Sequence, residues 1–195
     1  MVKRPATRLA AGARRQQLLE QALRVFARRG FAGASTRELA AAAGISEPIL
    51  YRHFRSKSAL FAAVLTLVTQ RLLAALGAAV APAPDARTRL LALGHALPEV
   101  LARLEDELRV LCGAAASHAD PGQARAARHA LEAVGRFLRQ ALAGGLRRGV
   151  DAETGAFFVL QIGLGSALLR PVRVAAVLRA GFGDAVLELM KRALL

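Results

Sequence analysis

The run from Ser35 to Lys57, STRELAAAAGISEPILYRHFRSK, leaves the chain few ways to fold. Ser35 can accept from the backbone N–H of Glu38, whose carboxylate can reach back, the reciprocal arrangement that opens a helix. A helix therefore begins near Thr36, with Leu39, Ala40 and Ala43 recurring as its buried stripe. Gly44 then supplies the left-handed residue that turns the backbone at a helix C-terminus. After a turn of three or four residues Ser46 offers an N-cap, and Pro48 falls in a first turn, where its missing N–H costs nothing. A second short helix must start there. Ile45, Leu50 and Phe54 make its inner face, which leaves Glu47, Pro48, Ile49, Tyr51, Arg52 and His53 wholly or partly outside.

A supporting helix precedes this pair, from about Ala13 to Arg29, with Leu18, Leu19, Ala22, Val25 and Phe26 at helical spacing. Ser56 caps a long helix that follows, through Leu60, Phe61, Val64, Leu65, Val68, Leu72 and Leu76 toward Val80. Two short helices joined by a tight turn, ending in an aromatic and basic cluster, are the build of a DNA-reading helix-turn-helix. Charge agrees with that reading. Up to Val64 there are 12 Lys and Arg against 3 Asp and Glu, a net of +9 out of the chain's +14. Such a basic footprint neutralises phosphates and releases counterions, so binding falls steeply with salt. Arginine abundance throughout the chain lowers the weight of charge taken alone.

From Arg14 to about Val64 the chain resembles the DNA-binding domain of the TetR family of transcriptional repressors. The likeness rests on Leu18, Ala22 and Phe26, the Gly30–Phe31 turn, Thr36, Leu39, Ala40, Ala43, Gly44, Ile45 and Ser46, then Leu50, Tyr51, His53, Phe54, Lys57, Leu60 and Phe61. It implies that Thr36 gives a hydroxyl to a phosphate, that Tyr51 and His53 contact phosphates, and that Lys57 adds charge beside them. Arg37 is placed to enter the groove, where a guanidinium can fork to guanine O6 and N7. Ser46, Glu47, Pro48 and Ile49 form the exposed first turn of the second helix: Glu47 can accept from a cytosine amino group, and Pro48 or Ile49 can meet a thymine methyl. Arg52 can serve a base, a phosphate or Glu47.

The expected organisation is all-α: a disordered basic arm over residues 1–12, a three-helix helix-turn-helix DNA-binding domain over 13–64, and a helical ligand-binding and dimerisation domain over 65–195. Within the last, helices are expected from Asp85 to about Leu97, Pro98 to about Ala116, Pro121 to about Ala143, Asp151 to about Arg170, Val172 to Arg179 and Asp184 to Leu195, each bounded by Pro, Gly or Asp. The resemblance further implies a homodimer on a palindromic operator, paired through the last long helices, where Gly155, Gly163 and Gly165 allow close approach. It also implies a pocket whose occupant lowers operator affinity. The candidate lining is Leu91, His95, Leu108, Leu111, Cys112, Ala116, His118, Phe137, Phe157, Phe158 and Gln161, a mostly apolar set that favours a small lipophilic effector over a sugar or nucleotide.

Other classes find less in the sequence. Nothing matches a nucleophile elbow, a phosphate loop or a zinc motif, so catalysis is not expected, nor is a cofactor. His95, His118 and His129 lack metal-ligand spacing, and no metal site is expected. A single cysteine, Cys112, excludes an internal disulfide and suits a reducing compartment, the cytoplasm. The mainly apolar stretch Gly155 to Leu169 is 15 residues long, short of the roughly 20 a membrane span needs, so no membrane partner is expected. The rival reading is a basic protein that coats DNA or a membrane surface without sequence preference.

Overall fold

A computed structural model describes residues 11–117, 121–144, 146, 149–169, 188 and 191–195. Its helices are α1 (Ala11–Gly33), α2 (Thr36–Ala42), α3 (Glu47–His53), α4 (Lys57–Val80), α5 (Ala86–Arg103), α6 (Glu105–Ala115), α7 (Pro121–Leu142) and α8 (Ala152–Leu169). No strand occurs among the described residues. The chain divides into two compact units, one ending at Val64 and the other beginning at Leu65, with α4 continuous through the division. Ala11 and Gly12, expected in the arm, already belong to α1; residues 1–10 lie outside the described set.

In the first unit α1 packs on α2 and α2 on α3. α1 turns sharply at Gly30, whose φ of 67° is the left-handed conformation that an L side chain resists. The turn brings Phe31 back onto the core, where Phe26, Phe31 and Phe61 meet with the Phe61 ring 4.9 Å and 5.1 Å from the other two, both edge-on. Leu18, Val25, Leu39, Leu50 and Leu60 complete this core, each at most 2 % exposed. Aromatic pairs at such distances add to the burial of their area, and they tie the end of α1 to the start of α4.

In the second unit α7 packs against α5, α6 and α8. Asp85 opens α5 with a capping box: its carboxylate accepts from the Thr88 N–H at 2.8 Å while the Thr88 hydroxyl accepts from the Asp85 N–H. Asp151 opens α8 by accepting from the Thr154 N–H at 2.7 Å. The break expected at Pro98 is absent. α5 runs through that proline to Arg103, and the chain turns at Leu104 instead. Pro98 lies on the exposed side, while Leu90, Leu93, Val100, Leu101 and Leu104 form one buried stripe across it. A proline inside a helix costs ~3 kcal/mol; burying several large side chains at roughly 1.5–3 kcal/mol each outweighs it. α4 is long and apolar enough to cross a membrane, yet its Leu60, Phe61, Val64, Leu65, Val68 and Leu72 are buried in protein. The helices expected over Val172–Arg179 and most of Asp184–Leu195 lie outside the described residues.

Candidate nucleic-acid interface

The geometry of the pair α2 and α3 follows from three local devices. Ser35 accepts from the Glu38 N–H at 3.1 Å and caps α2. The reciprocal half of the expected box is not made, because the Glu38 carboxylate accepts instead from Arg29 Nε at 3.3 Å. Gly44, at φ 65°, makes the turn. Ser46 stands at the N-cap of α3 in extended geometry, but its hydroxyl caps nothing; Pro48 in the first turn removes one donor that would need a partner. Leu50 and Phe54 are buried, so Pro48, Tyr51 and Arg52 turn outward, with Glu47, Ile49 and His53 partly so.

Of the residues expected to meet DNA, Arg37, Ser46, Pro48, Tyr51 and Arg52 are exposed, while Thr36, Glu47, Ile49, His53 and Lys57 are half-buried. Tyr51 is the large aromatic of this face, 46 % exposed. Two members are engaged inside the protein. The Thr36 hydroxyl donates to the Glu47 carboxylate, joining the first residue of α2 to the first of α3. Lys57 does not simply add charge: its Nζ donates to the carbonyls of Phe31 and Ala34 at 2.9 and 3.0 Å and sits 4.4 Å from the centre of the Phe31 ring. Carbonyls at a helix C-terminus lack intrahelical partners and carry the negative end of the dipole, so an ammonium is well matched there.

Sequence reasoning passed over two basic residues of this region. Arg15 stacks its guanidinium 4.9 Å from the Phe54 ring, bracing the end of α3 from α1. Arg55 is exposed between α3 and α4, next to the face that carries Tyr51 and Arg52. The HFRSK charge run was the signal for Arg55; nothing local foretells the contact of Arg15, 39 positions away.

The second unit holds a cavity of about 50 Å³. Leu72 and Leu76 of α4, Leu108 and Leu111 of α6, Val134 and Leu138 of α7, and Val159 and Gly163 of α8 face it, and every described lining residue is Leu, Val or Gly. Only Leu108 and Leu111 of the expected lining take part. Leu91, His95, Cys112, Ala116, Phe137, Phe157, Phe158 and Gln161 do not line it, and His118 lies outside the described residues. Of these residues His95, Ala116, Phe157 and Gln161 are exposed, Phe157 by 61 %. Cys112 is half-buried, and burial raises its thiol pKa. Gly155 and Gly163 approach Leu146 and Leu97 of the same chain, while Gly165 faces open space. Beside the cavity, Arg71 of α4 donates to the buried Glu107 of α6 at 2.7 Å.

Residues 18–64 match the model of the bacterial regulatory proteins, tetR family. The HTH-type transcriptional activator FasR of Mycolicibacterium smegmatis is 42% identical over 94 residues, 45% of this chain and 43% of that protein. The matched part thus spans less than half of that relative. A transcriptional regulator from Rhodococcus sp. Rha1 has the same fold over 90% of this chain and 92% of its own, at a TM-score of 0.72 and 29% identity. AibR, crystallised with isovaleryl coenzyme A and operator DNA, aligns over 77% of this chain and 85% of its own, at a TM-score of 0.61 and 27% identity.

Proposed function

We propose that this chain, a DNA-binding transcriptional regulator of the TetR family, acts as a homodimeric repressor that holds a palindromic operator and releases it when a lipophilic effector enters the second unit. The unit up to Val64 is the DNA-reading head and the remainder the regulatory domain. The observation that carries this is the outward face of α3. Pro48, Tyr51 and Arg52 stand exposed on a helix whose other side is anchored by Leu50 and Phe54, in a segment of net charge +9. Tyr51, Arg52 and His53 position the helix on phosphates, and Arg37, with the first turn of α3, reads base edges. A protein that works on chromosomal DNA resides in the cytoplasm.

Pairing of two copies is supported by Phe157, whose ring is 61 % exposed on a face of α8 that also presents exposed Glu153, Thr154 and Gln161. A two-fold interface would cover the same ring on both subunits. FasR is named an activator; repression is the reading in which effector binding and operator binding oppose each other, with equal factors in both directions.

The effector class follows from the cavity walls. With only Leu, Val and Gly to offer, they select an alkyl group. Isovaleryl coenzyme A bound to AibR suggests an acyl thioester whose chain enters and whose polar part stays outside. A cavity of about 50 Å³ is well below the ~150 Å³ that accommodates benzene. Entry of a chain therefore has to part the helices that bear Leu72, Leu108, Val134 and Val159. α4, one of them, runs on unbroken into the head.

Selection of sites from a random duplex library at near-physiological salt tests this reading. The expected result is an enriched palindrome with two half-sites, bound at least about a thousandfold more tightly than random duplex. Ample binding without enrichment would overturn it in favour of a DNA-coating protein. Acyl-CoA thioesters of increasing chain length, titrated into the complex with the selected site, should then release the DNA.

A further inference from the structure

We propose that Gly163 is a specificity-determining residue of the effector cavity: its missing side chain leaves an opening between α8 and α5 through which the alkyl chain of an acyl thioester enters. This rests on the effector class proposed above. Gly163 is the exception in the wall, since the other described lining residues are Leu or Val. Nothing in its backbone calls for glycine. It lies inside α8 and its φ is not positive, a setting in which glycine destabilises a helix relative to alanine.

Close packing does not call for it either. A Cβ at Gly155 would come within 2.5 Å of Leu146 Cδ1, so that glycine is required by the approach of the two segments. A Cβ at Gly163 would meet, among the described residues, only Leu97 Cδ1, at 3.8 Å, an ordinary contact. Pairing of subunits through the Phe157 face leaves Gly163 equally unexplained. It follows the buried Val159 by one turn and shares its inward face, at least about a third of a turn round α8 from the exposed Phe157 and Gln161. What remains is space. Gly163, Leu97, Leu131 and Leu160 are half-buried members of the lining, whereas Leu72 of α4 and Leu108 of α6 are buried. The cavity therefore meets solvent beside Gly163 and is closed at α4 and α6. A chain entering there reaches those walls last, and each carbon added at position 163 takes the room of roughly one carbon of ligand.

The test uses the full chain and straight-chain acyl-CoA thioesters from butyryl to palmitoyl, titrated by calorimetry into the protein and, by anisotropy, into its complex with the selected operator. Burial of one methylene changes affinity by about fourfold. Gly163→Ala should therefore bind the best wild-type thioester about fourfold more weakly, and Gly163→Leu roughly a hundredfold or more, with the optimum moved to shorter chains. Operator affinity without thioester and the mass in light scattering should stay at the wild-type values. Gly163→Ala should also melt roughly 2–4 °C higher, so that lost folding does not account for lost affinity. Leu97→Ala should restore what Gly163→Ala loses, because Leu97 Cδ1 is the atom nearest the added methyl. Equal thioester affinity and chain-length preference in Gly163→Ala and the wild type would overturn the inference. So would a changed mass for Gly163→Ala, which would assign the glycine to packing between copies. A wild-type protein that binds none of the thioesters would overturn the effector class and this inference with it, an outcome distinct from wild-type binding that every Gly163 variant retains.

Discussion

Replacing Arg71 by Met should destabilise the protein more than replacing its partner Glu107 by Met, and the asymmetry comes from burial. The guanidinium and carboxylate meet at 2.7 Å, but the Glu107 side chain is 7% exposed and that of Arg71 33%. Arg71→Met strands a carboxylate that water barely reaches. Removing one partner of a buried pair costs about 3–5 kcal/mol; the partial exposure on the Arg71 side admits some water and reduces this to about 2–3 kcal/mol. Glu107→Met leaves instead a cation with a third of its surface in water, which can extend its head outward and keep its stem packed. That variant should lose about 1 kcal/mol or less, and the double replacement should recover much of the Arg71→Met loss, since no buried carboxylate is then stranded. For a chain of this size each kcal/mol moves the melting temperature by roughly 2–4 °C, so Arg71→Met should melt about 4–12 °C lower. Circular dichroism at 222 nm during heating and urea titration reads both variants. A Glu107→Met loss equal to or above that of Arg71→Met would refute the reasoning from burial.

Three further outcomes follow from the structure. Phe157→Glu should convert a species of twice 20.6 kDa into one of 20.6 kDa in light scattering at micromolar concentration, because it removes the ring that the two-fold contact would cover and sets two carboxylates against each other across it; unchanged mass would remove α8 from the interface. Lys57→Met should speed amide exchange at the end of α1 and in α2, with a loss of about 1–2 kcal/mol for two charge-assisted bonds that are partly screened by solvent; a variant that changes only DNA affinity would mean that the bonds to Phe31 and Ala34 carry no stability. The Asp85 carboxyl is held below its ordinary value of 3.8, chiefly by the Thr88 N–H and then by the Thr88 hydroxyl. Its folded pKa being the lower one, its contribution is present above that ordinary value and is lost as pH falls through the depressed one. The Thr88 amide resonance should therefore titrate with a midpoint below 3.8, and a midpoint at or above it would discard the cap.

The helix-turn-helix was readable because its signals are local. Ser35 three residues before Glu38, Gly44 at a position that needs positive φ, and Pro48 in a first turn each act within one turn of backbone. Apolar spacing at Leu39, Ala40, Leu50 and Phe54 then decides which face is left for contact. The same locality misled at Pro98, where the residue's own preference lost to a buried stripe on both sides of it, and at Glu38, whose carboxylate found Arg29 instead of the backbone it could have capped.

By itself the sequence determined the helical class, the head, and the residues turned outward on α3, since period, caps and turn residues are properties of neighbours in the chain. Which groups those side chains meet was decided only by tertiary structure. Lys57 on the carbonyls of Phe31 and Ala34, Thr36 on Glu47, Arg71 on Glu107, and a cavity walled by Leu72, Val134 and Val159 where His95 and Phe157 were expected, all join residues 11 or more positions apart. Such pairs form when burial brings helices together, and a helix two residues out of phase presents a different face to its neighbour.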